Sequence, residues 1–400
     1  MKKPIFIFTD ALSAGGVNTY LKYFSKDLYA NYCSSYIFCL NDSNKISLPN
    51  VVVISNNIGD VRSMFLNVPK LLFWNYQIFR EVLIRKPAKL VFQLPLSTAY
   101  SLPLIIINLL FLKVPMIYQF HGSYSLEMED VIKRMNKYSD RRFIKKKISI
   151  VFLLVVEKLL LRLFTTIVCF SAYAKELLHE RLGVNYKKII VTNPPYEDVP
   201  LTRISKFNSR SAKCFDGVKL IYSGRIEPRK GVFELLQVCK LLKDQNIRYS
   251  LTFITNFQDH YEPNILRHFF SRLNELKIAE SVLFYSNPSW SFISSRLSES
   301  DLCMMLSLDL ETFGYACLES LASGCPVICL EKGGALREVI KDTINGYVIN
   351  SHSLIEKSVV KVIQKHLLLS DKQKYGMRKQ AILSAHQFAD STYARKVILN

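Results

Sequence analysis

The sequence predicts an α/β protein built from two doubly wound domains. Its 400 residues exceed what one hydrophobic core usually spans, and 49% of them are hydrophobic, so two buried cores are expected. Short apolar strands alternate with helical segments in two series, a pattern typical of parallel sheets covered by helices on both faces. Ligands of such sheets bind beyond the carboxyl ends of the strands, so we expect a cleft between the two domains.

The first series of elements occupies the N-terminal half of the chain. The pattern predicts strand 5–8, helix 17–30, strands 36–40 and 51–54, helix 68–84, strands 90–93, 116–120 and 167–170, helix 172–182 and strand 189–192. The segment 193–200 that follows is rich in proline, and 201–216 is polar and aperiodic. This composition is typical of a linker.

The second series begins after the linker. The pattern predicts strand 219–222, helix 232–243, strands 250–254, 282–285 and 302–306, helix 315–323, strand 326–330 and helix 335–341. We therefore place the first domain at 1–197, the linker at 198–216 and the second domain at 217–380.

The charge of the chain favours anionic partners. Lysine and arginine number 53 against 33 acidic residues, a formal net charge of +20. The excess is concentrated at 133–162, where ten basic residues include Arg141, Arg142, Lys145, Lys146 and Lys147. An apolar run at 148–156 follows at once, and a basic cluster beside an apolar helix is typical of a membrane-surface element. The alternative is an ordinary core helix preceded by a solvated basic face.

The location of the protein is predicted from its apolar segments. The apolar run at the N-terminus is too short for a signal peptide, so we expect a cytoplasmic protein at the cytoplasmic face of the membrane. Residues 90–112 carry no charge and are long enough to span a bilayer. Pro95 would break such a helix near its start, so we predict a strand, a loop and a buried helix ending near Leu112 instead.

The nine cysteines are predicted to be small buried hydrophobic residues in a reducing compartment. Most lie in apolar runs, and no Cys-x-x-Cys pair or histidine partner accompanies them, so we predict no metal site.

The first chemical motif is Ser223-Gly224-Arg225-Ile226-Glu227-Pro228-Arg229-Lys230-Gly231, between a strand and a helix. Arg225 and Lys230 lie beside a helix N-terminus, where they can match the charge of a diphosphate without a metal. Preorganised cations also lower the barrier as negative charge grows on a leaving diphosphate. A solvated turn with incidental basic residues is the alternative.

The second motif runs from Glu311 to Glu319. Gly314 allows close backbone approach at the start of a helix, and backbone N–H groups from Phe313 to Ala316 can hold phosphate. Carboxylates accept hydrogen bonds from sugar or ribose hydroxyls. Two carboxylates could instead be the acid and base of a hydrolase. The nearby cations favour the binding of a phosphate ester.

Together these motifs resemble the retaining glycosyltransferases of family 4. The resemblance rests on Arg225, on Lys230-Gly231 and on Glu311 with Glu319 around Phe313-Gly314. Weaker matches are Ala14-Gly15-Gly16-Val17, His121-Gly122, Ser171, Asn193-Pro194, Lys332-Gly333-Gly334, Asn345-Gly346-Tyr347-Val348 and a terminal segment, Phe388 to Leu399. The chain departs from the family at Thr255-Asn256-Phe257, at Tyr285-Ser286-Asn287 and at Ser307-Leu308, so its nucleotide preference stays open.

The resemblance implies a GT-B fold of two Rossmann-like domains, in which a terminal helix at 381–400 returns to the acceptor-binding N-terminal domain. It implies a hexosyltransferase that needs no cofactor or metal and uses a nucleotide-diphosphate sugar as donor. The implied donor site comprises Gly15, Gly16, Arg225, Lys230, Glu311, Phe313, Gly314, Tyr315, Ala316 and Glu319. The implied catalytic residues are His121, Glu311, Arg225 and Lys230.

Individual roles follow from the same resemblance. Arg225 and Lys230 are expected to hold the diphosphate, Glu319 the ribose and Glu311 the transferred sugar. His121 is expected to contact sugar and phosphate. The expected acceptor is a glycan or polyprenyl-linked glycan of cell-envelope polysaccharide, such as lipopolysaccharide or capsule.

Two other classes of function stay open. A sugar-nucleotide epimerase of the same fold would share the architecture, and a basic nucleic-acid-binding protein would explain the charge. The second lacks basic motifs interleaved with aromatic residues, so we expect no nucleic-acid partner.

Overall fold

A computed structural model of the chain describes residues 3–11, 16–41, 51–55, 68–135, 142–196, 216–255, 263–308, 310–350, 354–388 and 393–399. The chain forms two compact units, one of Met1–Glu197 with Asp390–Asn400 and the other of Asp198–Ala389. Each unit is built around one parallel β-sheet, so the predicted α/β class with two doubly wound domains is confirmed.

The first unit contains seven parallel strands in the order β3-β2-β1-β4-β5-β6-β7. They are β1 (Ile5–Ala11), β2 (Ser35–Asn41), β3 (Val51–Ser55), β4 (Lys89–Phe92), β5 (Met116–Gln119), β6 (Thr166–Cys169) and β7 (Ile189–Val191). The inner strands are buried on both faces, which explains their continuous apolar runs. Phe8 of β1 stacks on Phe92 of β4 with ring centroids 4.4 Å apart, so the core is centred where these strands pair.

The helices of the first unit are α1 (Gly16–Ala30), α2 (Val68–Arg85), α3 (Pro95–Tyr100), α4 (Leu102–Ile107), α5 (Tyr124–Met135), α6 (Arg142–Arg162) and α7 (Ala172–Glu180). A π-helical turn, Asn108–Leu112, extends α4. Helix α2 contacts α4, and α3 contacts α6, so these helices form one layer. Helix α1 contacts a second π-helical turn, Ala394–Leu399, which belongs to the same unit.

The second unit contains six parallel strands in the order β10-β9-β8-β11-β12-β13. They are β8 (Val218–Ser223), β9 (Tyr249–Thr255), β10 (Val282–Ser286), β11 (Leu302–Met305), β12 (Val327–Leu330) and β13 (Gly346–Ile349). The helices are α8 (Val232–Asp244), α9 (Pro263–Glu275), α10 (Trp290–Glu299), α11 (Tyr315–Ala322), α12 (Leu336–Val339), α13 (Ile355–Leu367) and α14 (Asp371–Phe388). Helix α14 packs on α11 within this unit.

The segment 90–112 departs in part from its prediction. A strand and a helical region occur as expected, and the helix ends at Leu112. The predicted burial holds for Leu104, Ile105 and Asn108, but Leu110 and Phe111 are exposed, so the expectation of a buried helix is wrong for its last turn. Within the described ranges, no helix combines the length and apolarity that a bilayer span requires.

The cysteines follow the prediction where the structure describes them. Eight of them, Cys33, Cys39, Cys169, Cys239, Cys303, Cys317, Cys325 and Cys329, are buried and form no disulfide. Burial raises the pKa of the Cys239 thiol to about 12, so this thiol stays protonated at neutral pH. Cys214 lies outside the described residues, as does nearly all of the predicted linker 198–216.

Candidate functional site

The strand order of the second unit brings the two motif loops together. From β8 the chain runs outward to β9 and β10, then crosses back to β11 on the other side of β8. The point where the strand order reverses, at the carboxyl ends of β8 and β11, is where open α/β sheets bind ligands. The loop after β8 carries residues 224–231, and the loop after β11 carries residues 306–314. The sequence motifs therefore lie at the switch point of this sheet.

Gly231 allows the two loops to approach closely. It ends the 3₁₀ turn Pro228–Lys230 with a left-handed φ of 70°. A Cβ at this position would lie 2.0 Å from the carbonyl oxygen of Leu306, a distance that no side chain can accommodate. The amide N–H of Leu308 donates to the carbonyl oxygen of Arg229 at 2.8 Å. Glycine at 231 is thus required for the contact between the loops.

The first loop contains a chain of alternating charges. Glu227 forms an ion pair with Arg225 through one carboxylate oxygen and accepts a hydrogen bond from Nε of Arg229 through the other, each at 2.9 Å. Burial raises the pKa of Glu227, but the positive charges of Arg229, Arg225 and Lys230 outweigh burial and hold that pKa below its ordinary value. The sequence motifs alone gave no role to Glu227 or Arg229. The sequence pattern that could have revealed them is Arg-x-Glu-x-Arg, in which one carboxylate lies two residues from each arginine.

Lys230 and Glu311 form an ion pair between the two loops, although 81 residues separate them. Glu311 is buried and also accepts from the hydroxyl of Ser307 at 3.3 Å. Burial raises its pKa, yet the charges of Lys230 and Arg229 prevail and keep the pKa of Glu311 below the ordinary range. Glu311 therefore stays ionised at neutral pH.

Glycines also fix the backbone around Glu311. Gly314 caps the start of α11 with a φ of 83°, and a Cβ there would lie 2.7 Å from Leu336. A Cβ at Gly334 would lie 2.5 Å from the carbonyl oxygen of Glu311, and Ala335 N–H donates to that oxygen at 2.7 Å. The loops after β11 and β12 are thereby held against each other.

The remaining predicted donor residues line the start of α11. Phe313 and Tyr315 are buried, and their rings meet edge to face with centroids 5.5 Å apart. Ala316 and Glu319 are half-buried. Glu319 lies in the second turn of α11, beyond the helix start that Gly314 caps. The structure thus pairs Lys230 with Glu311, keeps Arg225 on the same loop as Lys230, and places these four residues on the following helix or just before it.

In the first unit, His121 lies among aromatic rings. It follows β5, and its ring centroid is 4.7 Å from that of Tyr20 in α1 and 5.4 Å from that of Phe170. Desolvation lowers the pKa of His121 to about 3, so its imidazole is neutral at physiological pH. Gly16 begins α1 one turn before Tyr20, whereas Gly15 lies outside the described residues.

A buried carboxylate that the sequence motifs did not reveal supports the loop after His121. Glu157 of α6 accepts from the hydroxyls of Ser123 at 2.8 Å and Ser125 at 2.5 Å. The amide N–H of Ser125 lies 3.4 Å from the same oxygen. Burial raises the pKa of Glu157 even though these hydrogen bonds act to lower it. An acidic residue inside an apolar helical run is the signal that could have revealed it.

The predicted membrane-surface residues fall largely outside what the structure describes. Arg141 lies outside the described residues, and for Arg142, Lys145, Lys146 and Lys147 only the helical backbone of α6 is described. Over the described part of the chain, no group of three His, Cys, Asp or Glu residues could hold a metal ion.

The arrangement in the second unit suits a doubly charged anion. Arg225, Arg229 and Lys230 outnumber Glu227 and Glu311, and the loops lead into the N-termini of α8 and α11. Backbone amides at helix N-termini add to the positive potential that the side chains create.

Two family models match the chain over most of its length. The model of "Glycosyltransferase Family 4" matches residues 14–197, and the model of "Glycosyl transferases group 1" matches residues 207–382. The chain belongs to the group 1, family 4 glycosyltransferases. This result confirms the family predicted from the motifs.

Curated relatives match over part of their length. A mannosylfructose-phosphate synthase from Agrobacterium fabrum is 25% identical over 169 residues, which are 41% of this chain and 37% of that protein. A lipopolysaccharide 1,2-N-acetylglucosaminetransferase from Salmonella typhimurium is 25% identical over 167 residues, or 42% of this chain and 43% of that protein. The chain therefore aligns with less than half of these relatives.

Solved structures match along nearly the whole chain. A sucrose-phosphate synthase from Thermosynechococcus elongatus superposes with a TM-score of 0.76 at 16% identity, covering 99% of this chain and 98% of that one. Anabaena HepE, crystallised with UDP and glucose, superposes with a TM-score of 0.73 at 15% identity, covering 100% and 98%. Identities this low show the GT-B fold alone.

Proposed function

We propose that the chain is a retaining glycosyltransferase that moves a sugar from a nucleotide-diphosphate sugar to a hydroxyl of a glycan or lipid-linked glycan in cell-envelope polysaccharide synthesis. The observation that carries the proposal is the group formed by Arg225, Lys230 and Glu311 at the switch point of the second sheet. Two cations, a buried ionised carboxylate and two helix starts at one sheet edge suit a diphosphate joined to a sugar.

The cations bind the diphosphate and stabilise it as it leaves. When the bond between the sugar C1 and the diphosphate oxygen breaks, negative charge accumulates on that oxygen, and Arg225 and Lys230 offset it without a metal. The acceptor oxygen attacks C1 on the face that the diphosphate leaves, which retains the configuration. The acceptor proton passes to the departing phosphate oxygen, so no protein base is required.

The ion pair between Lys230 and Glu311 determines how their roles divide. A diphosphate bound to Lys230 shares this cation with Glu311, so Glu311 is held close to the phosphate that carries the sugar. Its ionised oxygens accept hydrogen bonds from sugar hydroxyls. Glu319 lies farther along α11 and accepts from the ribose of the nucleotide. His121, being neutral, contacts sugar and phosphate as a hydrogen-bonding partner without adding charge.

The acceptor is proposed by chemical class. The relative from Salmonella typhimurium is named as a lipopolysaccharide transferase, which supports a glycan acceptor of the cell envelope. A polyprenyl-linked acceptor would be presented at a membrane. We therefore propose that the protein is peripheral on the anionic cytoplasmic face, with Arg141, Arg142, Lys145, Lys146 and Lys147 contributing to binding.

The test is turnover of nucleotide sugars with and without acceptor. Candidate donors are first selected by thermal shift with a panel of UDP, GDP and ADP sugars. Each positive donor is then incubated with lipid-linked glycans, and the product linkage is determined by NMR. Acceptor-dependent release of the nucleotide diphosphate with a retained anomeric centre supports the proposal, whereas an altered nucleotide sugar without acceptor would identify an epimerase.

Chelation tests the independence from metal. Transfer in excess EDTA is expected to equal transfer in Mg²⁺, because Arg225 and Lys230 supply the charge. Loss of activity in EDTA that Mn²⁺ or Mg²⁺ restores would contradict this part of the proposal.

A further inference from the structure

Exposed apolar side chains are concentrated on one helical layer of the first unit. Of the twenty-three large hydrophobic residues that are exposed among the described residues, thirteen lie on α2, on α4 with its π-helical turn, and on α6. We call this set the apolar face; its members are Leu72, Phe73, Tyr76, Leu83, Ile84, Ile106, Leu109, Leu110, Phe111, Val151, Phe152, Val155 and Leu159.

The three elements that carry the apolar face are neighbours. Asn75 of α2 donates through its side-chain amide to the carbonyl oxygen of Tyr100 at 2.9 Å and accepts from Leu104 N–H at 3.3 Å. This contact joins α2 to α3 and α4, and α3 in turn contacts α6. The exposed residues therefore lie on helices that α3 links into one layer.

Helix α2 is apolar on two opposite sides. Trp74, Ile78 and Val82 are buried, whereas Leu72 and Tyr76, one turn apart, are more than 60% exposed. A surface helix of a globular protein normally presents polar residues on its outer side. The outer side of α2 thus departs from the pattern of a solvated helix.

Helix α6 and the end of α4 show the same departure. On α6, Leu160 and Leu161 are buried, while Val151, Val155 and Leu159 recur every four residues on the exposed side. Phe111 at the end of the π-helical turn is 75% exposed, and Phe152 is 66% exposed. Exposed apolar side chains in such number on neighbouring helices are typical of an interaction surface.

The fully exposed charges on the described parts of the helices that carry the apolar face are basic. Its exposed ionic residues include Lys70, Arg80, Lys113 and Arg162. Two acidic residues occur on the described parts of these elements: Glu81 pairs with Arg85 at 2.5 Å, and Glu157 is buried. In sequence, Arg142 and Lys145–Lys147 add positive charge at the start of α6. A basic border around an apolar centre complements an anionic lipid surface.

We propose that the apolar face inserts into the interfacial region of an anionic lipid bilayer. A second copy fits less well, because a two-fold pairing would bring basic borders together without acidic partners. Lysine is also depleted from protein interfaces. The proposal rests on the peripheral location proposed above and extends it from the basic run to α2 and α4.

An apolar anchor responds to salt differently from a purely electrostatic one. Attraction of basic residues to anionic lipid is screened by salt, whereas burial of apolar side chains among acyl chains is not. The membrane-bound fraction is therefore expected to fall with salt to a plateau rather than to zero.

The test compares two quadruple variants in vesicle co-sedimentation. One changes Phe73, Leu110, Phe111 and Phe152 to Gln; the matched control changes Leu283, Ile344, Leu354 and Leu368, the exposed large apolar residues of the second unit, to Gln. Vesicles of phosphatidylglycerol and phosphatidylcholine are used without donor or acceptor. Circular dichroism and thermal melting check that both variants fold.

At high salt, the apolar-face variant is expected to lose about tenfold or more of its partition coefficient, and the control to match the wild type. Equal partitioning of both variants at high salt would overturn the proposal. In a second measurement, Tyr76→Trp is expected to be quenched by brominated lipid, and absence of quenching would count against insertion.

Light scattering without vesicles tests the alternative that a second copy of the chain covers the apolar face. A wild-type dimer that the apolar-face variant converts to a monomer would assign the face to a second copy and overturn the lipid proposal. Because none of these measurements involves turnover, their failure is distinguishable from failure of the proposed transferase activity.

Discussion

The two units share an architecture, but their surroundings favour opposite charge states of the buried ionisable side chains. In the second unit, neighbouring cations hold the pKa values of the buried carboxylates Glu227 and Glu311 below the ordinary range. In the first unit, burial raises the pKa of Glu157 and lowers that of His121, so both shifts favour the neutral form. The surfaces differ too, since nineteen of the twenty-three large hydrophobic residues that are exposed in the described ranges belong to the first unit and four to the second.

This difference shows how one fold can be adapted to two kinds of ligand. The loops after β8 and β11 in the second unit carry ionised side chains, whereas His121 after β5 and Glu157 on α6 in the first unit lie in surroundings that favour the neutral form. The second unit is suited to an anion that must be held and released. The first unit has an apolar outer layer, which we propose contacts lipid.

The largest expected effect is on the cations of the second unit. Lys230→Ala and Arg225→Ala should each remove about 2–4 kcal/mol of transition-state stabilisation, since each deletes a charge that we propose faces the leaving diphosphate. Lys240→Ala is the matched control, because Lys240 pairs with Asp244 on the exposed side of α8. Steady-state kinetics measure kcat/KM. A wild-type value in either site variant would contradict the proposal that these cations stabilise the leaving diphosphate.

Replacement of glycines tests whether the loops of the site in the second unit are held together as closely as their contacts imply. Gly231→Ala should destabilise the protein by about 3 kcal/mol, because it combines a left-handed φ with a clash against Leu306. Gly183→Ala in the first unit has a left-handed φ of 68° but open space, so it should cost about 1 kcal/mol.

Gly376→Ala is the control for the glycine series. It lies within α14, and a methyl group added there would meet no neighbouring atom, so alanine should stabilise the helix by about 0.5–1 kcal/mol. Urea unfolding followed by circular dichroism ranks the three variants. A Gly231→Ala protein as stable as Gly376→Ala would show that the loops can separate.

Replacing the two glutamates of the site in the second unit should have different effects on binding and turnover. Glu319→Ala should weaken binding of the bare nucleotide diphosphate about tenfold, since a lost hydrogen bond to a charged group costs about 1.5 kcal/mol. Glu311→Ala frees Lys230 from its ion pair, so the diphosphate should bind as well or better while kcat falls. Isothermal titration separates these outcomes, with Glu299→Ala, on the exposed side of α10, as control. Equal loss of affinity in both variants would reject the division of roles.

The smallest expected effect concerns Glu157 in the first unit. A carboxyl whose pKa is raised by folding binds its proton more tightly in the folded chain. The contribution of Glu157 to the free energy of unfolding should therefore increase as pH falls through the folded pKa towards the ordinary value near 4.5. Glu157→Gln cannot titrate, so its stability relative to the wild type should be greatest at neutral pH and shrink on acidification.

The partly exposed Glu129, on the neighbouring helix α5, provides the control for this titration. Glu129→Gln removes a partly exposed carboxylate that pairs with Arg181, so it shows the effect of losing a carboxylate outside the protein interior. Denaturant unfolding between pH 4 and pH 8 measures both variants, and parallel curves for Glu157→Gln and wild type would show that the Glu157 carboxyl is not protonated more readily in the folded chain.

The sequence by itself determined the class of fold, the family and the position of the motifs. Strand and helix periodicity is local, so helix α1 was predicted at 17–30 and lies at Gly16–Ala30. Glycine requirements are local as well, which is why Gly231 and Gly314 mark loop-to-helix corners in both sequence and structure. The amphipathic helices α9 and α13 were not predicted, and they carry no chemical motif that would have drawn attention to them.

Only the tertiary structure decided which charges meet and which apolar residues remain outside. Lys230 and Glu311 pair because β8 and β11 are neighbours, and strand order cannot be read from spacing along the chain. Glu157 reaches Ser123 and Ser125 only when α6 packs beside the loop after β5. The outer residues of α2 and α6 look like core residues in the sequence, because an apolar side chain reveals its exposure only when all its neighbours are in place.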